Sequence, residues 1–347
     1  MRYDLKRATM ALMAFGVAGS ASAAGLEGAP APFDKGGVKV ALISYISTGD
    51  FFQAYQAGAQ AQAKALGIDL RVFPGKQNAA EQREQVQQAI NLGVEGIVVD
   101  HGLPESLGDV VQQAVDAGVK VVAFDVNLNN PAVPQVEQSD HELARLALEQ
   151  AVKDNGTSFT AGYVYVAGFA PLDRRNEVWD KFKADNPGVV EKARFGNVSD
   201  TTATSTADQA KAAFAANPDI SVVFAPYDEF ARGVKLAAAD LGLKDKLKIY
   251  SADVSTADIQ EIVEEGSPWV ATVATNPAVV GAVSVRAVAL KIAGQDVPKQ
   301  ILVKPALLTQ EALRQAGVTT IEELAAKVPA FSTSDEVTAD WIPAKLF

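Results

Sequence analysis

The stretch VKVALISYISTGDFFQAYQAGAQAQAKAL, residues 38–66, decides the fold. Val38–Ser44 is a short apolar run rich in Val, Ile and Leu. Ser47-Thr48-Gly49-Asp50 is a polar turn, and a long Ala- and Gln-rich segment then runs to Gly67. That order reads as strand, loop, helix. Asp50 is placed to cap the helix, because a carboxylate accepts the free backbone N–H groups of a first turn. Phe51 and Phe52 follow in that turn. One can pack on the sheet, and the other then lies at the carboxyl end of the strand, where open α/β sheets bind ligands.

The plan repeats along the chain. Ile68–Phe73 is a second strand, ended by Pro74-Gly75, and Ala79–Asn91 a Gln-rich helix. Val94–Val99 is a third strand. The helix Pro104–Ala117 opens on a proline, whose missing N–H costs nothing there. Val119–Phe124 is a fourth strand that ends directly in Asp125. These strands are nearly all apolar and do not alternate. Such strands are covered on both faces by crossover helices, so the sheet is parallel.

Asn127–Pro134 is a polar, proline-rich interruption. A second set of units follows it. Helices are expected at Asp140–Lys153, Leu172–Ala184, Ala203–Ala216, Asp228–Leu241, Ala257–Glu265 and from Pro277 to about Ala293. Strands are expected at Ala161–Ala167, weakly at 189–195, and at Ile220–Ala225, Leu247–Ala252 and Trp269–Ala274, with Ile301–Val303 extended. From about Glu311 a tail runs to Phe347, with a short helix near Thr320–Lys327. The fold class is α/β, with two doubly wound parallel-sheet domains.

Arg2, Lys6 and Arg7 precede an apolar run, Ala8–Val17, and small residues ending Ala21-Ser22-Ala23. This is the layout of an export signal. Residues 1–23 are therefore expected to be a signal peptide and 24–37 a flexible leader. No later run reaches the roughly 18 uninterrupted apolar residues of a membrane span. The 347 residues contain no cysteine, which excludes disulfides, a thiol nucleophile and thiolate metal ligands. The formal charge of −11 argues against binding a phosphate backbone, so no nucleic-acid partner is expected.

Asp125 and Asp253 each follow a hydrophobic strand directly, in KVVAFD and KIYSAD. Aspartates there can serve as caps or turn formers. They can also accept hydrogen bonds from ligand hydroxyls, because a carboxylate offers up to about four lone-pair sites and no donor. That suits a polyhydroxyl ligand and repels an anion. Phe51, Phe52 and Tyr227, the last in FAPYDEF, are either core residues or flat walls against a sugar ring. Arg174 and Arg175 follow the loop AGFAPLD. If one turns inward it brings a fork of donors to the carboxylates, a task Asn176 could share. His101 lies at a strand end, and Asn127 is a further candidate donor. His101 and His141 have no metal-ligand spacing, so no metal or cofactor is expected. The chain lacks G-x-G-x-x-G after its first strand, G-x-x-x-x-G-K-[ST] and G-x-S-x-G. No enzyme is expected; a sugar-modifying enzyme remains as the second alternative.

Several segments in order carry a family resemblance: VALISY, GDFFQAYQAGAQAQAKALG, QVQQAINLGVEGIVV, AGVKVVAFD, NPDISVVFAPYDEFARGVKLAAADLG, IYSAD and WVATVATNP. Over about residues 38–305 the chain resembles the ribose/galactose-type periplasmic sugar-binding proteins of ABC importers, with the type I periplasmic binding protein fold. The resemblance implies two domains joined by a three-segment hinge, near 127–140, 274–277 and 303–306, with the ligand cleft between them. One domain is then 38–130 plus 276–304, the other 140–275 plus 305–347, and 131–139 the first hinge region. By the same resemblance the family's aromatic pair falls on Phe51 and Phe52, its aspartates on Asp125 and Asp253, its polar hinge residue on Thr275, and its second-domain arginine near Arg174–Asn176. An arginine usual in the family is replaced by Val126, and an asparagine by Tyr227. These changes remove a guanidinium and an amide and add apolar wall. The ligand implied is a small neutral sugar alcohol or pentose-like sugar. The function implied is that of a monomeric periplasmic protein delivering it to an ABC permease. The first alternative is a receptor for a membrane chemosensor or sensor kinase. Sugar-responsive repressors share the fold, but carry a DNA-binding head where this chain has its signal.

Overall fold

The computed structural model describes residues 25–343; the signal-peptide segment 1–23 lies outside them. The first lobe begins β1 (Lys39–Ser44), α1 (Asp50–Ala65), β2 (Asp69–Phe73), α2 (Ala79–Asn91), β3 (Gly96–Asp100), α3 (Pro104–Asp116), β4 (Lys120–Phe124), β5 (Gln135–Glu137). The second holds α4 (Asp140–Asn155), β6 (Ser158–Val164), α5 (Ala170–Asp185), β7 (Gly188–Phe195), α6 (Thr202–Ala216), β8 (Val222–Ala225), α7 (Asp228–Asp240), β9 (Lys248–Ala252), α8 (Thr256–Val263) and β10 (Trp269–Ala274). α9 (Pro277–Ile292) and β11 (Gln300–Leu302) return to the first lobe. β12 (Ala306–Thr309), α10 (Gln310–Ala316), α11 (Ile321–Lys327) and α12 (Pro329–Ser332) then follow on the second.

The two sheets have the strand orders β11-β5-β4-β3-β1-β2 and β12-β10-β9-β8-β6-β7. All pairings are parallel except β10 with β12. β5 pairs with β4 and β11, so part of the segment read as first hinge is a strand of the first sheet. In both sheets the order reverses beside the lobe's first strand, which places a ligand crevice at the carboxyl edge. The apolar runs have a simple cause. Val40 and Leu42 of β1 join the core under α1 and α9, whereas Ala41 and Ile43 join the core under α2 and α3. Successive side chains point to opposite faces, and both faces are covered. Among the described residues no helix is long and apolar enough to cross a membrane.

One contact fixes where α1 delivers its aromatics. A Cβ on Gly58 would lie 1.9 Å from the Ala278 carbonyl oxygen, and one on Gly281 would lie 2.0 Å from that of Tyr55. α1 and α9 therefore touch backbone to backbone, and any side chain at either glycine forces them apart. Gly49, at φ 89°, starts α1 and makes no side-chain cap. Asp50 is the first helical residue rather than the cap expected of it, and its carboxylate is engaged elsewhere, as described below.

The crossings between lobes are tied side by side. Thr275 Oγ1 donates to Gln138 Oε1 at 2.7 Å, and Ser139 Oγ donates to the Val303 carbonyl at 3.0 Å. The tail does not stay on the second lobe. Phe331 packs in that lobe's core, but Ile342 is buried in the first. On the way, Asn276 Nδ2 donates to the Phe331 carbonyl (2.7 Å), and Arg286 Nη1 to that of Ser334 (3.1 Å). Gln62 Nε2 donates to the Pro343 carbonyl at 2.9 Å. The tail is thus a fourth strap across the hinge. The leader, expected to be flexible, packs from residue 25 onward: Phe33 is fully buried, with its ring 4.9 Å from that of Trp341.

Candidate ligand-binding cleft

The chain turns sharply after three strands. His101, Asp125 and Asp253 follow β3, β4 and β9 with φ of 55°, 50° and 71°. A left-handed backbone costs an L-residue about 1–2 kcal/mol, and Asp and His are among the side chains that tolerate it. The turns bring polar side chains to the facing edges of the two sheets.

His101 Nδ1 lies 2.7 Å from Asp100 Oδ1, and both residues are buried. Burial opposes charge on the imidazole, but Asp100 outweighs it and lifts the pKa above the ordinary value. The ring stands edge-on to Phe52, at 5.2 Å between centroids, and to Phe124 at the same distance. With Nδ1 held by Asp100, Nε2 is the nitrogen left for the cleft.

The two arginines of α5 both turn inward. Arg175 Nε donates to Asp140 Oδ1 (2.8 Å), and Nη1 to Asp253 Oδ2 (2.9 Å) and to the Pro226 carbonyl (2.7 Å). Arg174 donates to Asp140 Oδ2 from Nε (2.9 Å) and Nη2 (2.6 Å), to Asn127 Oδ1 from Nη1 (3.0 Å), and to Asp125 from Nη2. The Glu137 carboxylate is 3.5 Å from Arg174 Nε. Two guanidinium groups thus face four buried carboxylates, and the surplus is negative. Burial, with Asp140 nearby, pushes Asp125 up to about 8, against the pull of Arg174. Burial also raises Asp253, against Arg175. Asp140 is buried too, but Arg175 and Arg174 together hold it below the usual carboxylate range. Asp125 Oδ2 is buried and has no protein partner.

Beside this cluster lies a cavity of about 40 Å³. Its polar residues are His101, Gln138, Arg175 and Asp253. Its remaining wall is Ile46, Phe51 and Phe52 from the first lobe, and Phe169, Pro171, Leu172, Val198 and Tyr227 from the second. A water needs roughly 10–15 Å³ by this measure, so a sugar ring enters only as the lobes and side chains move apart.

Six of the residues singled out in the sequence therefore line one cavity: Phe51, Phe52, His101, Arg175, Tyr227 and Asp253. Asp125, Asn127 and Arg174 form the ion cluster beside it. Thr275 sits behind, bonded to Gln138. Asn176 is the exception. It donates to Asp180 Oδ2 (3.0 Å) and accepts from Arg194 (3.3 Å) on the outer side of α5. One step along a helix turns a side chain by about 100°, and two inward arginines leave their neighbour facing out. The sequence reading missed Ile46, Gln138, Phe169, Pro171, Leu172, Val198 and Asp140. Ile46 and Phe169 stand in the loops after β1 and β6, and Pro171 and Leu172 in the first turn of α5, as Phe51 does in that of α1. Asp140 was visible only as the first residue of a helix.

Two doubly wound lobes, hinged side by side with polar strand ends facing one cavity, define a receptor that closes on a small solute. The model of the periplasmic binding protein domain matches residues 40–296, and the chain belongs to that family. The ribose import binding protein RbsB of Escherichia coli (strain K12) is 25% identical over 270 residues, which cover 74% of this chain and 86% of that protein. The structure of a 5-methylthioribose transporter solute binding protein from Thermotoga lettingae, in complex with 5-methylthioribose, has 37% identity and a TM-score of 0.86. It covers 88% of this chain and 97% of its own. A sugar ABC transporter structure from Yersinia enterocolitica has 28% identity and a TM-score of 0.83, covering 88% of this chain and 93% of its own. The protein is a periplasmic sugar- or polyol-binding protein that delivers a small neutral carbohydrate to an ABC permease, and its role is binding, not turnover.

Proposed function

We propose that the carbohydrate is a pentose-type sugar carrying an apolar substituent, of the 5-methylthioribose kind. The observation that carries this reading is the composition of the cavity. His101, Gln138, Arg175 and Asp253 make one polar group of residues, and the rest of the lining is apolar or aromatic. A hydroxyl buried against Ile46, Leu172 or Val198 has no partner, and leaving it unpaired costs about 1–3 kcal/mol. A methyl group buried there gains roughly 0.8 kcal/mol, and a thioether sulfur makes favourable contacts with aromatic rings. Val126, where the resembling family has an arginine, is fully buried in the first lobe's core and offers no donor. The likeness to the Thermotoga lettingae protein supports the same ligand class.

In this reading Asp253 and Arg175 take ring hydroxyls, and Asp125 accepts from or donates to another through Oδ2. Arg174 holds Asp125 in place, and Asn127 accepts from Arg174 and steadies it. Phe51 and Phe52 face the ring, His101 adds a ring nitrogen, Tyr227 closes the apolar side, and Thr275 orients Gln138. Calorimetric titration with 5-methylthioribose, D-ribose and the pentitols tests it. 5-Methylthioribose should bind at least ten-fold tighter than D-ribose. Equal or tighter binding of D-ribose would remove the apolar substituent from the proposal.

A further inference from the structure

We propose that the site also takes thioether sugars whose substituent is longer than methyl and ends in an ammonium group, held in a second cavity beyond Tyr227. The inference rests on the preceding reading, in which the sulfur lies against the apolar wall. This second cavity measures about 140 Å³, against about 40 Å³ for the first, and Ile46, Val198 and Tyr227 line both. Most of the room in the closed cleft is therefore on the far side of these three residues.

The partition is not a fixed wall. Ile46 comes from the first lobe, and Val198 and Tyr227 from the second, so it is assembled only as the lobes meet. The Tyr227 hydroxyl comes within 3.7 Å of the place a Cβ would occupy on Gly49, across the cleft. A chain of two or three atoms lying between these side chains would keep them apart at the cost of one contact per side chain.

Beyond the partition the chemistry changes. Thr48 and Gln77 of the first lobe face Asp200, Thr202 and Glu229 of the second. Gln77 Nε2 donates to Asp200 Oδ1 at 3.2 Å, which joins the two lobes at this chamber. Among the described residues, two carboxylates line the chamber and no Lys, Arg or His does. Arg232 stands behind Glu229, with Nη1 3.4 Å from Oε1, but its shorter bond, at 2.7 Å, is to Asp258. Burial, with the carboxylates of Asp258, Asp50 and Glu261 nearby, raises the pKa of Glu229 in spite of Arg232. An ammonium tail would add a second cation on the chamber side of this carboxyl. A carboxylate tail would meet like charge.

Titration calorimetry with methylthioribose and its aminoethylthio and carboxymethylthio analogues tests this. The amino analogue should bind within about three-fold of methylthioribose or tighter, and the carboxy analogue at least ten-fold more weakly than the amino one. Glu229→Gln should lower the amino analogue's affinity relative to that of methylthioribose by several-fold. Thr48→Phe, which fills the outer chamber, should lower the same ratio further. An amino analogue that binds a hundred-fold more weakly than methylthioribose overturns the inference. Equal affinity for all three sugars overturns it too, because a tail in open water is indifferent to charge. If methylthioribose does not bind and the amino analogue does, the preceding reading falls and this one stands. If neither binds, both fall.

Discussion

Arg174 and Arg175 are neighbours on one helix, yet they belong to different regions of the molecule. Every partner of Arg175 lies in the second lobe: Asp140, Asp253 and the Pro226 carbonyl. Arg174 shares Asp140 but spends its other bonds across the cleft, on Asp125 and Asn127. The first is wired whether the lobes are together or apart. The second completes its bonds only on closure. Of two adjacent and chemically identical side chains, one is therefore held within its own lobe and the other reports the position of the lobes. A ligand moves the open–closed equilibrium only through contacts that differ between the two forms. Arg174 gives the protein such a contact of its own.

The largest effect should come from removing the inner wiring. Arg175→Met leaves Asp253 buried without its guanidinium partner, and Asp140 with Arg174 alone. Breaking a buried pair from one side costs about 3–5 kcal/mol, and in a domain of this size each kcal/mol shifts Tm by about 2–4 °C. A fall of roughly ten degrees is expected, together with loss of ligand binding. A variant that melts with the wild type would show that the second lobe does not depend on this network.

Arg174→Met should separate the two regions. Asp140 keeps Arg175, so the loss in Tm should be smaller than for Arg175→Met. Closure should suffer instead. Ligand affinity is expected to fall about ten-fold, and small-angle scattering should show a larger radius of gyration at the same subsaturating ligand concentration. Asp125→Asn should act like Arg174→Met, and Asp253→Asn like a weaker Arg175→Met. If the two aspartate variants are indistinguishable in both melting and scattering, the division between the arginines is wrong.

The third effect is a pH dependence, and its sign follows from the burial of Asp125 and Asp253, with the surplus of carboxylates adding to it. Asp125 is pushed up to about 8 in the folded protein, against roughly 3.9 in an unfolded chain. A group whose pKa is raised by folding contributes stability that is full below the unfolded value and lost as pH rises through the folded one. Asp253, also raised, acts in the same direction. Asp140 is held low, so it titrates below this window. Tm should therefore decline between about pH 4 and 8, and more steeply in the wild type than in Asp125→Asn. A parallel decline in both would mean that Asp125 does not titrate there.

How much of this was legible in the sequence differs between the same two regions. The inner strands of both sheets could be read because strands covered on two faces must be apolar throughout, as Val40–Ile43 and Val222–Ala225 are; β5 and β12, short and beside the crossings, could not. Asp125 and Asp253 could be read because each interrupts such a run at its end. The role of Arg175 could not be separated from that of Arg174, since the inward side of α5 depends on how the helix packs. That Asn176 turns to the outer side of α5 was hidden for the same reason. Asp140 and Gln138 were hidden because their importance comes from being where the chain crosses between lobes, and local pattern carries no mark of a crossing. The tail gave no sign of its path. Its anchors, Trp341 and Ile342, meet Phe33 from the opposite end of the chain, and no local periodicity joins residues so far apart.

The smallest effect sharpens the comparison, because it concerns a second arginine that spans the lobes, this time near solvent. Arg232 is held in the second lobe by Asp258 at 2.7 Å and reaches Asp50 of the first at 3.2 Å. In outline it repeats Arg174 and Asp125. The surroundings differ: the Asp125 side chain is fully buried, whereas that of Asp50 is 45% exposed. Exposed pairs contribute about 0–1 kcal/mol, and salt screens them over roughly 8–10 Å. Asp50→Asn should therefore weaken ligand binding by no more than a few-fold at low ionic strength, and the difference from wild type should vanish near 0.5 M salt, where the Debye length is only a few ångströms. The loss caused by Arg174→Met, inside the closed cleft, should persist at that salt concentration. Measuring ligand dissociation rates for both variants across a salt series decides it. If both losses fade together, water reaches the Arg174–Asp125 pair. If neither fades, Asp50 is shielded on closure, and the two arginines form a single latch.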